Sequence, residues 1–180
     1  MKRYIKNKNF LIKNLAYDPT TEHEACGVGL IASTDGKKSR KIVEYGIQAL
    51  KAVWHRGAVD ADGKSGDGAG IKLEISPDFF KEKILSTGHS HDENSRVCVG
   101  MIFLPRNDYS SQESCKTIVE SELTKNNFSI YGWRQVPVNP KILGVKAFQT
   151  MPEIIQVLFK SNDPNLVDKN LERKIYETRK

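Results

Sequence analysis

Apolar residues in the first part of the chain recur with two different spacings. Residues 26–33 read CGVGLIAS, a short apolar run that predicts a buried strand. Residues 71–76, IKLEIS, alternate apolar and polar positions like a strand that Pro77 ends. Between them, residues 39–55 place apolar side chains three and four positions apart, which predicts an amphipathic helix capped by Ser39. The apolar positions of that helix are Ile42, Val43, Ile47, Leu50, Val53 and Trp54.

The middle of the chain predicts two strands with a helix between them. Residues 96–105, RVCVGMIFLP, form a continuous apolar run, which is typical of a strand covered on both faces. Ser110 and Glu113 have the spacing of a capping box, which predicts the start of a helix. Residues 128–138, FSIYGWRQVPV, predict a strand that prolines end.

The remaining residues predict a short strand and two helices. Residues 141–150, KILGVKAFQT, form the strand. Thr150 and Glu153 form a second capping box with Pro152 in the first turn, so MPEIIQVLFK is predicted to be a helix. The last helix starts at Asp163–Pro164 and buries one face, made of Val167, Leu171 and Ile175. Helices alternate with strands along the chain, so the class is mixed α and β, and we assign it as α+β.

Composition places the chain among ordinary globular proteins. Its 180 residues are 38% hydrophobic and 28% charged, which suits one domain with a single core. Three cysteines at irregular spacing indicate neither a disulfide framework nor a zinc site, and they favour a reducing compartment. No stretch is long and apolar enough to span a membrane, so we expect a cytoplasmic protein.

Positive charge is concentrated at the start of the chain. The net charge is +6, and residues 1–17 hold five Lys or Arg with no Asp or Glu. Such a leader is a solvated tail more often than a nucleic-acid contact, so we expect neither nucleic acid nor membrane as a partner. The non-catalytic alternative is a basic binding module whose leader contacts an acidic partner.

Cys26 stands at the entrance of an apolar run, between a polar leader and Gly27. If the chain were cut before Cys26, the new α-amine and the thiol would lie on one residue. The amine could then act as the general base for a thiol nucleophile. The alternative interpretation is a small buried side chain at the start of a strand.

A glycine- and aspartate-rich loop follows the first predicted helix. Residues 54–71 read WHRGAVDADGKSGDGAGI, in which Arg56 provides a fixed, forked positive charge. The loop lacks the GxxxxGK[ST] pattern of a phosphate-binding loop. Taken alone, it is a surface loop more often than a functional site.

Together these segments resemble the class II glutamine amidotransferases, which have an N-terminal nucleophile. Within that family, six segments in this order are similar to the opening of glutamate synthase large subunits. They are YDPTTEHEACGVG, IVEYGIQALKAVWHRGA, SGDGAGI, GWRQVPV, MPEIIQVLF and LERKIYETRK. The resemblance implies the αββα sandwich of N-terminal-nucleophile hydrolases, incomplete within these 180 residues.

The resemblance also implies roles for individual residues. Residues 1–25 would be a propeptide, and residues 26–180 the first part of a type 2 glutamine amidotransferase domain. Cys26 would attack the side-chain amide of L-glutamine, with its own α-amine as base. Arg56 and Gly57 would shape the pocket beside the nucleophile. Residues 67–70 match a loop leading into a core strand and are interpreted as structural.

Cofactors are implied only for the longer parent protein. There, FMN and an iron–sulfur cluster would belong to a synthase domain that aminates 2-oxoglutarate to glutamate, and NADPH would act through a small subunit. The implied partners are that small subunit and the remainder of the large subunit. We expect no cofactor or metal in these 180 residues. Another class II amidotransferase, of purine or hexosamine synthesis, is a further alternative.

Two parts of the family's glutaminase site are not found in this sequence. The family has an Arg-Tyr-Ser-Thr loop for the substrate's α-carboxylate and a His-Asn-Gly-Glu loop for the oxyanion hole. This sequence contains no Asn-Gly pair, and its one Arg-Tyr pair is Arg3–Tyr4. Because loss of a single oxyanion donor costs about 10² to 10³ in rate, we expect the isolated chain not to hydrolyse glutamine.

Four other side chains with reactive groups have simpler interpretations. His89 and His91 lie in a polar loop without further ligands at fixed spacing, so we interpret them as solvated. Cys98 lies within VCVGMIFL and is predicted to be in the core. Cys115 lies near a predicted helix start and is expected to have a packing role.

Overall fold

The chain divides into two compact units, Met1–Gly57 and Ala58–Lys180. The computed structural model describes residues 27–53, 57–91 and 95–180, together with Lys6, Phe10 and Lys13. The predicted propeptide therefore lies mostly outside the described residues. None of the helices in these described ranges is both long and apolar enough to cross a membrane.

Helix α1, Arg40–Ala52, is the longest element of the first unit among the residues that the structure describes. It confirms the helix predicted over residues 39–55 as far as Ala52. Ser39 occupies the N-cap position with extended backbone, but its side chain makes no capping hydrogen bond. The apolar face predicted for α1 is half-buried, and no side chain of the helix is fully buried.

Two predicted strands are wrong where the structure describes them. Residues 27–33 and 71–76 belong to no strand, and the side chain of Val28 is 95% exposed. The physical reason is that an extended segment becomes a strand only when a neighbour completes its hydrogen bonds. Among the described residues, no ladder partner pairs with either segment.

The second unit contains most of the regular structure. Its elements in chain order are α2 (Pro77–Leu85), β1 (Cys98–Leu104), α3 (Tyr109–Lys125), β2 (Phe128–Gln135), a 3₁₀ helix (Pro140–Ile142), α4 (Val145–Thr150), β3 (Glu153–Ser161) and α5 (Asp168–Arg179). The α+β class is therefore confirmed. The second sheet of the implied sandwich is not formed by the described residues.

The three strands form one antiparallel sheet in the order β1-β3-β2. In the β2–β3 ladder, Ile130 pairs with Phe159 and Gly132 with Leu158, so Tyr131 is an extra, bulged residue. The φ angle of Gly132 is 146°, a backbone conformation that favours glycine.

The core lies on both faces of the sheet because successive residues of β3 point to opposite sides. Leu158 packs with Ile84 of α2 on one face, whereas Phe159 packs with Leu123 of α3 and Leu171 of α5 on the other. Residues 155–159 of β3 are all buried, which makes β3 the centre of the unit.

Strand β1 confirms the position of the strand predicted over residues 96–105. The expectation that both of its faces are covered is wrong, because Met101 is 49% exposed and Phe103 is 63% exposed. β1 lies at an edge of the described sheet, and α2 covers only the part of this face near Val97 and Val99.

The elements predicted over residues 141–160 are wrong. The expected strand over residues 141–150 forms the 3₁₀ helix and α4, while the expected helix over MPEIIQVLFK forms β3. Thr150 does not open a helix. It is the last residue of α4, and its hydroxyl donates to the Lys146 carbonyl at 3.2 Å.

Helix starts also differ from prediction. The N-cap of α3 is Asp108, not Ser110, because the Asp108 carboxylate accepts the Ser111 amide at 3.0 Å.

Helix α5 starts at Asp168 because Asp163 instead accepts the Asn165 amide at 2.9 Å and forms a separate turn. Leu171 and Ile175 pack as predicted, whereas Val167 is about half exposed.

Helix α2 is absent from the prediction, although Ser76, Pro77 and Asp78 have the pattern of a helix start.

Candidate functional site

The structure describes only part of the predicted active site. Cys26, His55 and Arg56 lie outside the described residues. Gly57 is an exposed bend that ends the first unit. The roles of Cys26, Arg56 and Gly57 therefore stay predictions, and the geometry available for the site begins at Ala58.

Residues 58–67 form a loop whose two ends are hydrogen-bonded to each other. The Ala58 amide donates to Asp67 Oδ2 at 3.0 Å, and the Asp67 amide donates to the Ala58 carbonyl at 3.2 Å. Inside these bonds, Val59 and Gly66 form an antiparallel bridge. The segment after the HRG motif is thus a small closed hairpin, called the 58–67 hairpin below.

Asp62 organises the tip of the 58–67 hairpin. Its carboxylate accepts the Ser65 hydroxyl at 2.6 Å, the Ser65 amide at 2.6 Å and the Lys64 amide at 2.9 Å. These bonds, with that from the Ser65 hydroxyl as the largest effect, hold the pKa of Asp62 well below its usual range. A backbone hydrogen bond from Lys146 acts in the same direction. The tip is therefore fixed by an ionised aspartate.

Ser65 attaches the hairpin to the first turn of α4. Its side chain is buried, and its Oγ accepts the Ala147 amide at 3.1 Å. Gly144, the N-cap residue of α4, has no side chain that could accept an amide of the first turn. Ser65, which is distant in sequence, therefore caps the helix. A Cβ atom on Gly144 would collide with Ser65 Oγ and with the Asp62 carboxylate. This contact requires glycine at that position.

A groove of about 390 Å³ lies between the 58–67 hairpin and α4. The Lys146 ammonium and the Asp60 carboxylate form an ion pair of 2.6 Å at its wall, where both groups have access to solvent. The groove can hold a small polar molecule by hydrogen bonds, and none of the described residues that line it is a cysteine or a histidine. Its lining residues are Ala58, Val59, Asp60, Ser65, Gly66, Asp67, Lys146, Ala147 and Thr150.

The two loop histidines lie beside Tyr131. The ring centroids of His89 and His91 are 6.3 Å and 6.0 Å from that of Tyr131, and His91 Nδ1 is 3.3 Å from the Tyr131 hydroxyl. Thr87 joins the same cluster, since its hydroxyl donates to the Tyr131 carbonyl at 2.9 Å. In the described part of the chain, no three His, Cys, Asp or Glu residues are grouped so as to hold a metal ion.

The two described cysteines differ in environment. Cys98 is buried in the core, as predicted, and this burial raises the pKa of its thiol to about 11. Cys115 is partly buried on α3. A thiol that stays protonated at neutral pH is a poor nucleophile, so Cys98 is a packing residue.

Sequence reasoning missed the link between Asp62, Ser65 and α4. The local signal is the stretch Asp62-Gly63-Lys64-Ser65, in which an Asp followed by Gly and then Ser is typical of a turn closed by side chains. The contact between Ser65 and Ala147 could not be predicted from one sequence, because nothing in residues 58–67 indicates that Ala147 is their partner.

Comparison with protein families identifies one match over most of the chain. The family described as glutamine amidotransferases class-II matches residues 26–180. The matched segment begins at Cys26, the residue singled out as a candidate nucleophile, and contains the whole 58–67 hairpin.

Curated relatives narrow the similarity to glutamate synthases. The chain is 51% identical over 165 residues to the glutamate synthase [NADPH] large chain of Azospirillum brasilense, covering 92% of this chain and 11% of the relative. It is 39% identical to ferredoxin-dependent glutamate synthase 2, chloroplastic, of Arabidopsis thaliana, covering 91% and 10%. It is 37% identical to glutamate synthase [NADH] of Saccharomyces cerevisiae, covering 91% and 8%. The chain thus spans about a tenth of these relatives. The matches do not favour a non-catalytic basic binding module.

Proposed function

Because this chain belongs to the class II glutamine amidotransferase family, we propose that it supplies the glutamine-hydrolysing part of a glutamate synthase large chain. The observation that carries the proposal is the family match, which starts at Cys26 and runs to Lys180. The 51% identity with the Azospirillum brasilense large chain supports glutamate synthase over another class II amidotransferase.

In this proposal Cys26 is the nucleophile once residues 1–25 are removed. The α-amine of Cys26 takes the thiol proton, and the sulfur attacks the side-chain carbonyl carbon of L-glutamine. The carbon–nitrogen bond then breaks, the amine returns the proton to the leaving nitrogen, and ammonia departs. Water cleaves the resulting thioester, which releases L-glutamate and regenerates the thiol.

Arg56 and Gly57 shape the pocket next to Cys26 in the same proposal. The guanidinium of Arg56 offers forked donors that suit a carboxylate or an amide oxygen. Gly57 leaves room for the substrate beside the backbone. The 58–67 hairpin follows directly in sequence.

The remaining chemistry belongs to other parts of the parent protein. An iron–sulfur cluster is held by several cysteine thiolates together, and the described cysteines do not fit this requirement. Cys98 is buried and protonated on β1, and Cys115 lies on α3. We therefore assign FMN, the cluster and the amination of 2-oxoglutarate to the rest of the large chain. We also propose that the protein is cytoplasmic and that a small subunit supplies electrons from NADPH.

The test is glutamine hydrolysis by the polypeptide that the whole reading frame encodes. Ammonia and glutamate release are measured for the wild type, for Cys26→Ala and for the matched variant Cys115→Ala. The proposal expects activity in the wild type and in Cys115→Ala and none in Cys26→Ala. Intact mass should show a chain that starts at Cys26. Undiminished hydrolysis by Cys26→Ala would refute the assignment.

A further inference from the structure

The sequence contains three pairs in which a glycine follows an aspartate, and the structure constrains one of them less than the others. The pairs are Asp35–Gly36, Asp62–Gly63 and Asp67–Gly68. A glycine nitrogen can attack the side chain of the preceding aspartate because no Cβ atom hinders the approach. We infer that Asp67–Gly68 is a modification site, at which aspartate converts spontaneously to isoaspartate faster than at the other two pairs.

The conversion needs no enzyme and no reactant besides water. The Gly68 amide nitrogen bonds to Asp67 Cγ, and the carboxyl hydroxyl leaves as water with the amide proton, which gives a succinimide ring. Water then adds to one of the two ring carbonyl carbons, and the ring nitrogen leaves that carbon with a proton. Addition at Cγ restores aspartate. Addition at the main-chain carbonyl carbon leaves Gly68 joined to Cγ, which is isoaspartate.

The first difference between the pairs concerns the attacking nitrogen. The Gly63 amide donates to the Asp60 carbonyl at 2.9 Å, and the Gly36 amide donates to the Ser33 carbonyl at 3.2 Å. Within the described ranges, the Gly68 amide has no hydrogen-bond acceptor, and a Cβ atom added to Gly68 would meet nothing within 4 Å. The Gly68 nitrogen is therefore the one that can turn towards a side chain without losing a bond.

The second difference concerns the carboxylates. Asp62 accepts the three hydrogen bonds that organise the hairpin tip, and Asp35 accepts the Ser33 hydroxyl and the Lys37 amide. These bonds, with the serine hydroxyl as the largest effect in each case, lower the pKa of both carboxyls. Less of the neutral carboxyl is then present, and the neutral carboxyl is the form that loses water.

Asp67 has the least constrained carboxylate of the three. Its side chain accepts one hydrogen bond from the described part of the chain, that of the Ala58 amide at 3.0 Å. One bond must break before Cγ can turn towards Gly68, compared with three at Asp62 and two at Asp35. Asp67–Gly68 thus combines the most accessible carboxyl with the unbonded nitrogen.

Isoaspartate at residue 67 would loosen the 58–67 hairpin. Its main chain is one carbon longer, and its carboxylate is attached to Cα. The two bonds between Asp67 and Ala58 cannot both keep their present geometry after this change. The bridge between Val59 and Gly66 lies directly inside those bonds and belongs to the wall of the groove. The modification therefore changes the shape of the groove within the second unit.

The experiment follows isoaspartate in the polypeptide that the whole reading frame encodes. The protein is kept at neutral pH and body temperature for several weeks, and samples are cleaved by a protease that cuts before aspartate but not before isoaspartate. Mass spectrometry of the peptides gives the rate at each pair. We expect residue 67 to convert several times faster than residues 35 and 62. In concentrated urea, where the hydrogen bonds are lost, we expect the three rates to become similar.

Two glycine variants form a matched comparison. Gly68→Ala places a Cβ atom on the attacking residue and should slow conversion of Asp67 several-fold. Gly70→Ala is the control, because a Cβ atom there also meets nothing within 4 Å and leaves the pair intact. Ser33→Ala tests the constraint itself, since loss of its hydroxyl should accelerate conversion of Asp35 and leave the rate at Asp67 unchanged.

Three results would overturn the inference. They are equal rates at the three pairs in the folded protein, faster conversion at residue 62 than at residue 67, and the same order of rates in urea as in the folded protein. The measurement does not depend on glutamine hydrolysis. Failure of this inference and failure of the proposed function are therefore separate outcomes.

Discussion

The indole nitrogen of Trp133 donates a hydrogen bond to the carboxylate of Glu120 at 2.6 Å. Trp133 lies on β2 and packs against the core on the side of α3, and Glu120 lies on the exposed part of α3. This bond fastens the helix to the outer strand beyond what apolar packing provides.

Removing that bond should weaken the fold measurably. Trp133→Phe keeps an aromatic ring but loses the donor, so the free energy of unfolding should fall by about 1 to 2 kcal/mol. Urea denaturation of Trp133→Phe, Glu120→Ala and the double variant forms a complete cycle. A coupling of about 0.5 kcal/mol or more is expected for residues in contact. Strict additivity would show that the bond contributes nothing.

Leu158 should be among the most sensitive positions of the chain. Its side chain is 0% exposed, lies on the central strand and belongs to the same buried cluster as Ile84 and Tyr131. Leu158→Ala leaves a cavity, and we expect a loss of about 2 to 5 kcal/mol in the free energy of unfolding. The control is Phe103→Ala on the exposed face of β1, where urea denaturation should show a much smaller loss.

Burial of Cys98 should make stability fall in alkaline solution. The thiol keeps its proton in the folded chain until its pKa of about 11, whereas the unfolded chain loses it near the ordinary value of 9.0. Between these values the unfolded state binds fewer protons, so stability decreases as pH rises. The stability difference between wild type and Cys98→Ala should shrink from pH 8 to pH 11. A constant difference in urea midpoint across that range would contradict the argument.

The start of α3 offers a test between two candidate caps. Asp108 accepts both the amide and the hydroxyl of Ser111, and these bonds, the one from the hydroxyl first, lower the pKa of Asp108. Asp108→Ala should lower the urea midpoint at pH 7, whereas Ser110→Ala should leave it nearly unchanged. Because a lowered carboxyl pKa contributes stability above the unfolded value, the effect of Asp108→Ala should diminish as pH falls below about 4. A larger effect from Ser110→Ala would restore the capping box inferred from sequence.

The 180-residue chain alone should not release ammonia from glutamine above the level of its Cys26→Ala variant. The physical reason is that the sequence contains no Asn-Gly pair for an oxyanion hole of the family's kind. Coupled detection of glutamate and ammonia over several hours checks this. Hydrolysis that depends on Cys26 would show that another donor in the chain stabilises the oxyanion.

Elements with clear local periodicity could be predicted from the sequence. The helical spacing from Ile42 to Leu50 identified α1, and the apolar runs around Cys98 and Tyr131 identified β1 and β2. In each case the local pattern and the tertiary environment favour the same structure, so one sequence was sufficient.

The largest error, over residues 150–161, shows where local signals stop being decisive. Thr150, Pro152 and Glu153 imitate a helix start, yet the following residues pair with β1 on one side and β2 on the other. The competing signal was the β-branched content of Ile154, Ile155 and Val157 within a continuous apolar run, which is typical of a central strand. Long-range pairing outweighed the capping pattern. The attachment of Ser65 to α4 is likewise a contact between distant segments.

Strand β1 presents an uncharged segment at the outer edge of the described sheet. Its seven residues, CVGMIFL, contain no charge and no proline, and among the described residues they pair only with β3. An uncharged edge of this kind is a template for strands of other molecules, and natural proteins usually protect it with lysine or proline. The edge should therefore limit the concentration at which the isolated chain stays dispersed. A single lysine at the exposed Met101 should raise that limit without touching the core.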